Sequence, residues 1–133
     1  MSPLEDLIQY RKARAKETLE DAKCLLAGGG LNSTVNRIYY AIFYEATALL
    51  MTHNLSSAKH SGIRALFHKD FVKPGKASKE SGKFYSRMFD FRQKADYIDC
   101  FKFEKDDVKN WIESAENFIN EIDELIDREM SYL

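Results

Sequence analysis

The sequence predicts an all-α fold, an antiparallel up-and-down bundle of four long helices plus one short helix. Apolar residues recur three, four or seven positions apart over most of the 133 residues, which is the spacing of amphipathic helices. No stretch alternates with the period of two that marks a strand. Two prolines and six glycines are few enough to allow long helices. The length fits a single domain, residues 1–133, with its own core.

The first helix is predicted to begin at Ser2 and Pro3, a capping residue followed by a proline suited to the first turn. The glycines at 28–30 are expected to end it. Its inward stripe is formed by apolar residues at helical spacing: Leu4, Ile8, Ala15, Leu19, Ala22 and Leu26.

The second helix is apolar on nearly every side, although its first turns carry Arg37 and several tyrosines. We expect it to run to about His53 and to begin at one of three adjacent capping residues, Asn32, Ser33 or Thr34. A helix that is apolar all round is buried on all sides, and one small bundle covers it incompletely. The sequence therefore predicts a homodimer. The plain alternative is a half-exposed aromatic surface whose tyrosine hydroxyls face water.

Three further helices are predicted after the second, and polar loops separate them. A short third helix is expected at about residues 61–71 and a fourth at about 83–95. The fifth helix has the most regular apolar stripe, and Trp111 and Phe118, seven positions apart on it, are predicted to lie in the main core.

Composition excludes several classes of protein. Twenty basic and 21 acidic residues leave a net charge of -1, so a nucleic-acid role has to depend on a local patch. No run reaches the ~18 apolar residues of a membrane span. The acidic residues near the start do not fit a signal peptide. The two cysteines, Cys24 and Cys100, lack CxxC spacing and are expected to be free thiols, so we expect a cytoplasmic protein without metal or cofactor.

The usual catalytic motifs are also missing. The sequence contains no HExxH, Walker loop, GxGxxG or GxSxG. His60, Arg64 and His68 are spaced by four and would share one face if all three were helical. Such a face either binds a phosphate or is an ordinary exposed surface.

A second polar cluster lies at the end of the fourth helix, where Arg92 and Asp96 are four positions apart and Tyr97 comes next. If the second and fourth helices pack side by side, Arg37 and Arg92 approach one groove. Arginine forks bind phosphate and flat aromatic rings stack on bases. The candidate nucleotide- or RNA-binding residues are therefore Asn36, Arg37, Tyr40, Arg92, Asp96 and Tyr97. The alternative is structural, an Arg37–Asp96 bridge that clamps the two helices.

Three stretches together, "NRIYYAIFYEATALL", "KHSGIRALFHKDFV" and "FRQKADY", resemble the HEPN superfamily, in particular the small prokaryotic HEPN proteins once grouped as an uncharacterised family. The resemblance implies a bundle of four or five helices that usually dimerises. It also implies a minimal nucleotidyltransferase as partner, which is commonly encoded beside the HEPN protein. Many such pairs of proteins are toxin–antitoxin systems.

One departure from that family bears on activity. Catalytic HEPN ribonucleases carry an arginine followed, after four to six residues, by a histidine, whereas no histidine follows Arg92 or Arg37 at that spacing. The resemblance then implies a non-catalytic module that binds a nucleotide or RNA and a nucleotidyltransferase partner. The alternative is a metal-independent RNA-cleaving toxin with an atypical set such as Arg92, Asp96 and Tyr97. A scaffold that binds only its partner is a third interpretation.

Overall fold

A computed structural model describes residues 2–133 and confirms the all-α prediction. The helices are α1 (Pro3–Ala27), α2 (Leu31–Met51), α3 (His60–Phe67), α4 (Lys79–Tyr97) and α5 (Lys105–Met130). A π-helical segment, His68–Val72, directly continues α3. This part of the chain contains no strand.

The ends of α1 follow the predicted signals. The Ser2 hydroxyl accepts a hydrogen bond from the Glu5 backbone N–H at 3.1 Å, and Pro3 occupies the first turn. The helix ends at the glycine run, where Gly29 has a φ of 83°, a left-handed conformation that glycine adopts without strain. The turn is short, and α2 therefore packs back along α1.

The predicted cap of α2 is wrong. The helix begins at Leu31 after Gly30, and no side chain caps its N-terminus. Thr34 lies one turn inside the helix, and its hydroxyl donates to the Gly30 carbonyl at 2.7 Å. The three capping residues therefore predict where α2 starts only to within a few positions. The helix begins earlier because the chain already turns at Gly30.

α2 is the central helix of the bundle and packs against α1, α3, α4 and α5. Its residues from Ile38 to Leu50 are mostly without solvent exposure, which explains its all-round apolar character. Tyr40, Phe43 and Tyr44 are the exception and are half-buried at the surface. These three rings are the aromatic surface considered above as the alternative to a dimer interface, and the dimer itself stays a prediction.

The third and fourth helices differ in length from the predictions. α3 stops at Phe67, and the wider π-helical turn that follows is closed by a hydrogen bond from Lys73 N–H to His68 carbonyl at 2.8 Å. That turn keeps both Phe67 and Phe71 buried. α4 starts four residues earlier than expected because Ser78 caps it, accepting from the Ser81 backbone N–H at 3.1 Å.

The register of α5 is as predicted, with one correction. Phe118 is 2% exposed and belongs to the main core. Trp111, in the second turn of α5, is only half-buried and lies outside the main core. It stacks on Phe91 with centroids 4.6 Å apart and meets the edge of Phe103 at 5.7 Å. Across residues 2–133, none of the helices has both the length and the hydropathy to span a bilayer.

Candidate functional site

The first half of α2, the first residue of α3 and the second half of α4 meet in one group of cationic and aromatic side chains, here called the arginine–aromatic cluster. Its members are Arg37, Tyr39, Tyr40, Phe43, His60, Phe89 and Arg92. The i, i+1 and i+4 positions on α2 present the tyrosines and Phe43 to the neighbouring helices, while α4 supplies Arg92. α2 and α4 pack against each other, which is the condition stated above for Arg37 and Arg92 to approach one groove.

Arg92 is largely enclosed by the cluster. Its side chain is 13% exposed, and its guanidinium carbon lies 4.7 Å from the Tyr39 ring centroid and 5.8 Å from that of Tyr40. Nη1 donates to Asp96 Oδ2 at 3.3 Å, one turn along α4. Its Nε is buried and has no hydrogen-bond partner among residues 2–133. Cation–π contacts and one carboxylate therefore compensate the charge of Arg92, while its buried Nε–H is left without a partner.

Arg37 does not form the clamp with Asp96 that was the structural alternative. Its Nε and Nη2 both donate to the Asn36 side-chain oxygen, at 3.1 and 2.7 Å, and its guanidinium carbon lies 5.1 Å from the Tyr40 centroid. Asp96 instead pairs with Arg92, because the i, i+4 spacing on α4 places these two side chains side by side. Arg37 and Asp96 do line one open cavity of about 430 Å³, together with Asn36.

Five of the six predicted site residues are thus brought together, and Tyr97 is not. Tyr97 is the last residue of α4, is 80% exposed, and lines a separate surface hollow with Lys94 and Ile98. Asn36, Arg37, Tyr40, Arg92 and Asp96 lie around Tyr40 and the adjacent cavity.

Sequence reasoning missed His60 as a member of the site. Its Nδ1 lies 2.9 Å from the Tyr39 hydroxyl, and its ring stacks on Phe43 with centroids 4.3 Å apart. Burial and the nearby positive charge of Arg92 lower the pKa of His60, so the ring is neutral at neutral pH. Burial raises the pKa of Tyr39 to about 12 and keeps its hydroxyl protonated. A histidine therefore lies beside Arg92, although it comes from α3 and not from the stretch after Arg92.

The face shared by His60, Arg64 and His68 is divided among three partners. Arg64 lies over the Phe89 ring at 4.2 Å and within 3.7 Å of Asp90. The Nε2 of His68 lies 3.2 Å from the Ser86 hydroxyl, away from the cluster. The three side chains therefore do not converge on one point, since only His60 and Arg64 contact the aromatic rings of the cluster.

Comparison with known proteins gives one family. The sequence model of the family described as HEPN domain matches residues 8–125. A relative named UPF0332 protein from Thermotoga maritima is 50% identical over 127 residues, which is 96% of this chain and 96% of the relative. Two relatives from Methanocaldococcus jannaschii are each named "Putative toxin". One is 31% identical, over 88% of this chain and 77% of its own length. The other is 36% identical, over 81% of this chain and 80% of its own length.

The family match covers nearly all of α1 to α5, and it includes every residue of the arginine–aromatic cluster. The resemblance seen in the three sequence stretches is thereby confirmed, and this chain belongs to the HEPN family.

Proposed function

We propose that this chain is the HEPN subunit of a toxin–antitoxin pair, a module that binds RNA or a nucleotide and works with a minimal nucleotidyltransferase. Its binding surface is the arginine–aromatic cluster and the adjoining cavity of about 430 Å³. The names of the two Methanocaldococcus jannaschii relatives support the association with toxins. The nucleotidyltransferase partner follows from the family resemblance.

The observation that carries the proposal is the charge around Tyr40. Arg37 and Arg92 both lie within 5.8 Å of the centroid of this one ring, and only Arg92 pairs with a carboxylate, that of Asp96 at 3.3 Å. Two guanidiniums and one carboxylate leave a local positive charge on a protein whose net charge is -1. The Nε and Nη2 of Arg37 donate to Asn36 and the Nη1 of Arg92 donates to Asp96, so a phosphate binds through the remaining terminal N–H groups or in place of the amide and the carboxylate.

Binding can be tested with purified parent protein, Arg92→Gln and Arg37→Gln, using fluorescence anisotropy with labelled single-stranded RNA. Each substitution is expected to weaken binding about tenfold, the loss of one charge-assisted hydrogen-bonded contact. Arg128→Gln is the matched control, because Arg128 is an exposed arginine in the last turn of α5 at the opposite end of the bundle. Equal affinities for all four proteins would refute the binding surface.

The partner can be tested separately by co-expressing the chain with a minimal nucleotidyltransferase encoded beside it. Co-purification in one complex is expected. The complex is then assayed for RNA cleavage and for nucleotide transfer, each against the two separate proteins. If the two proteins separate on size exclusion at micromolar concentration, this part of the proposal fails.

The position of His60 favours RNA cleavage as a second candidate function. When Nδ1 carries the proton and donates to the Tyr39 hydroxyl oxygen, Nε2 is left as a neutral base on a half-buried ring. A base that accepts the 2′-hydroxyl proton, next to an arginine that binds the phosphate, suffices for attack of the 2′-oxygen on phosphorus. The bond to the 5′-oxygen then breaks, and that oxygen takes a proton from water.

This second candidate predicts cleavage by the pure parent protein without added metal. His60→Gln should abolish cleavage while leaving RNA affinity nearly unchanged, and a 2′-deoxy nucleotide at the cleaved position should block it. His53→Gln is a suitable control, since His53 lies at the other end of α2 beside Glu129. A parent protein that binds RNA but cleaves none contradicts the second candidate and leaves the first.

A further inference from the structure

Three arginines from three different helices lie on aromatic rings that are in contact with one another. Arg37 of α2 lies 5.1 Å from the Tyr40 centroid, Arg92 of α4 lies 4.7 Å from that of Tyr39, and Arg64 of α3 lies 4.2 Å from that of Phe89. The binding surface proposed above gives no role to Arg64.

The three rings form a continuous floor beneath these arginines. The Tyr39 centroid is 5.2 Å from that of Tyr40 and 6.1 Å from that of Phe89, both in edge-to-face geometry. The order of the rings places Arg92 between Arg37 and Arg64. The guanidiniums therefore form a row across α2, α4 and α3 and are not clustered at one point.

The row is only partly neutralised. Asp96 pairs with Arg92 at 3.3 Å, and Asp90 lies 3.7 Å from Arg64 with a side chain that is 59% exposed. Three guanidiniums and two carboxylates leave one positive charge, and His60 adds none while it is neutral. The loose Asp90 contact is readily exchanged for a phosphate, because an exposed ion pair contributes little.

We propose that this row binds the backbone of single-stranded RNA, and that Arg64 binds a phosphate beyond the one held by Arg92 and Arg37. The proposal rests on the RNA-binding function proposed above and names its ligand, a strand of several nucleotides in preference to a mononucleotide. The rings beneath Arg92 and Arg64, Tyr39 and Phe89, have centroids 6.1 Å apart, about the distance between neighbouring phosphates of an extended strand. Both rings are buried, so the arginines and not the rings contact the strand.

The test uses fluorescently labelled oligouridine of two, four and eight nucleotides, with the parent, Arg64→Gln, Arg92→Gln and Arg128→Gln over a range of salt concentrations. For the octamer, Arg64→Gln is expected to weaken binding about tenfold and to reduce the slope of log affinity against log salt by about 0.7, one phosphate contact of a single strand. For the dinucleotide, Arg64→Gln should bind like the parent. Arg92→Gln should weaken binding at every length, and Arg128→Gln at none.

Arg64→Lys is the second variant, because it keeps the charge but loses the flat fork, and its octamer affinity should fall between those of the parent and Arg64→Gln. Thermal melting establishes that the variants remain folded. An Arg64→Gln protein that binds the octamer like Arg128→Gln, or that weakens the dinucleotide as much as the octamer, overturns the role of Arg64. A parent that binds none of the three lengths, or an Arg92→Gln protein that binds like the parent, overturns the proposed function as well.

Discussion

Glu45 is a buried acid at the centre of the bundle, and replacing it with glutamine is expected to stabilise the protein at neutral pH. Its side chain has no solvent exposure, and neither carboxyl oxygen receives a hydrogen bond from an N–H or O–H group in residues 2–133. The carboxylate of Asp123 on α5 lies near it, and Lys16 of α1 contacts the Asp123 Oδ2 at 3.1 Å. Burial, with the neighbouring Asp123 carboxylate, raises the pKa of Glu45 to about 10.

The sign of the effect follows from proton binding. Between pH ~4.5 and ~10 the folded chain keeps a proton on Glu45 that the unfolded chain has lost, so the stability of the parent falls as pH rises. At pH 7 this loss amounts to about 3 kcal/mol, because every pH unit above the ordinary pKa of a glutamate removes about 1.4 kcal/mol. Glutamine needs no proton and can donate its amide N–H to Asp123. Glu45→Gln should therefore be about 2–3 kcal/mol more stable than the parent at pH 7.

The assay is urea unfolding of both proteins at about pH 5, 7 and 8.5, followed by circular dichroism. The stability difference should be small at the lowest pH and should grow as pH rises. Glu124→Gln is the matched control, because Glu124 is an exposed acid next to Asp123 on α5. Asp123→Asn should destabilise at every pH, since it removes the partner of Lys16. A Glu45→Gln protein that is less stable at neutral pH, with a difference independent of pH, would mean that Glu45 is ionised in the fold.

Three other outcomes are expected. Phe118→Ala should lower the free energy of unfolding by about 3–5 kcal/mol, because the ring is buried. Trp111→Ala should lower it by about 1–2 kcal/mol, because that ring is only half-buried. Equal losses in urea unfolding would contradict the packing of α5. Glu121→Ala should lower the free energy of unfolding by about 2 kcal/mol. The Glu121 carboxylate accepts hydrogen bonds from the backbone N–H and the hydroxyl of Ser78, at 2.8 and 2.7 Å, and so holds the start of α4. An unchanged melting temperature would count against this contact. Light scattering should give twice the monomer mass of 15.4 kDa, and a monomer at micromolar concentration would remove the predicted homodimer.

Sequence periodicity was sufficient for the helices because burial acts on every third or fourth residue over long stretches. The stripes of α1 and α5 are one-sided, and a shift of a residue or two would expose them. The start of α2 depends on one backbone angle in a glycine run, and the π-helical turn after Phe67 depends on tertiary packing of Phe71, neither of which a periodic pattern contains. The exposure of Trp111 is again a tertiary property.

The site was predictable to the extent that its contacts lie within one helix. The pair Arg92 and Asp96, and the stacking of Arg37 on Tyr40, follow from spacings of four and three on α4 and α2. His60 was missed because 32 positions separate it from Arg92, and the two meet only through the Tyr39 and Tyr40 rings. No local signal carries such a contact.

The central position of α2 explains why a mostly apolar helix carries an arginine, several tyrosines and a glutamate. Glu45 meets Asp123 inside the bundle and avoids an unpaired buried charge by keeping a proton. Arg37 lies at the open edge and keeps its charge, since Asn36 and the face of Tyr40 interact with it without neutralising it. A residue needed only for stability would be better replaced by an apolar one at this edge, because a guanidinium without a carboxylate contributes little to folding. The same arrangement leaves a fixed positive charge beside an aromatic surface, which is what an RNA phosphate and its base require.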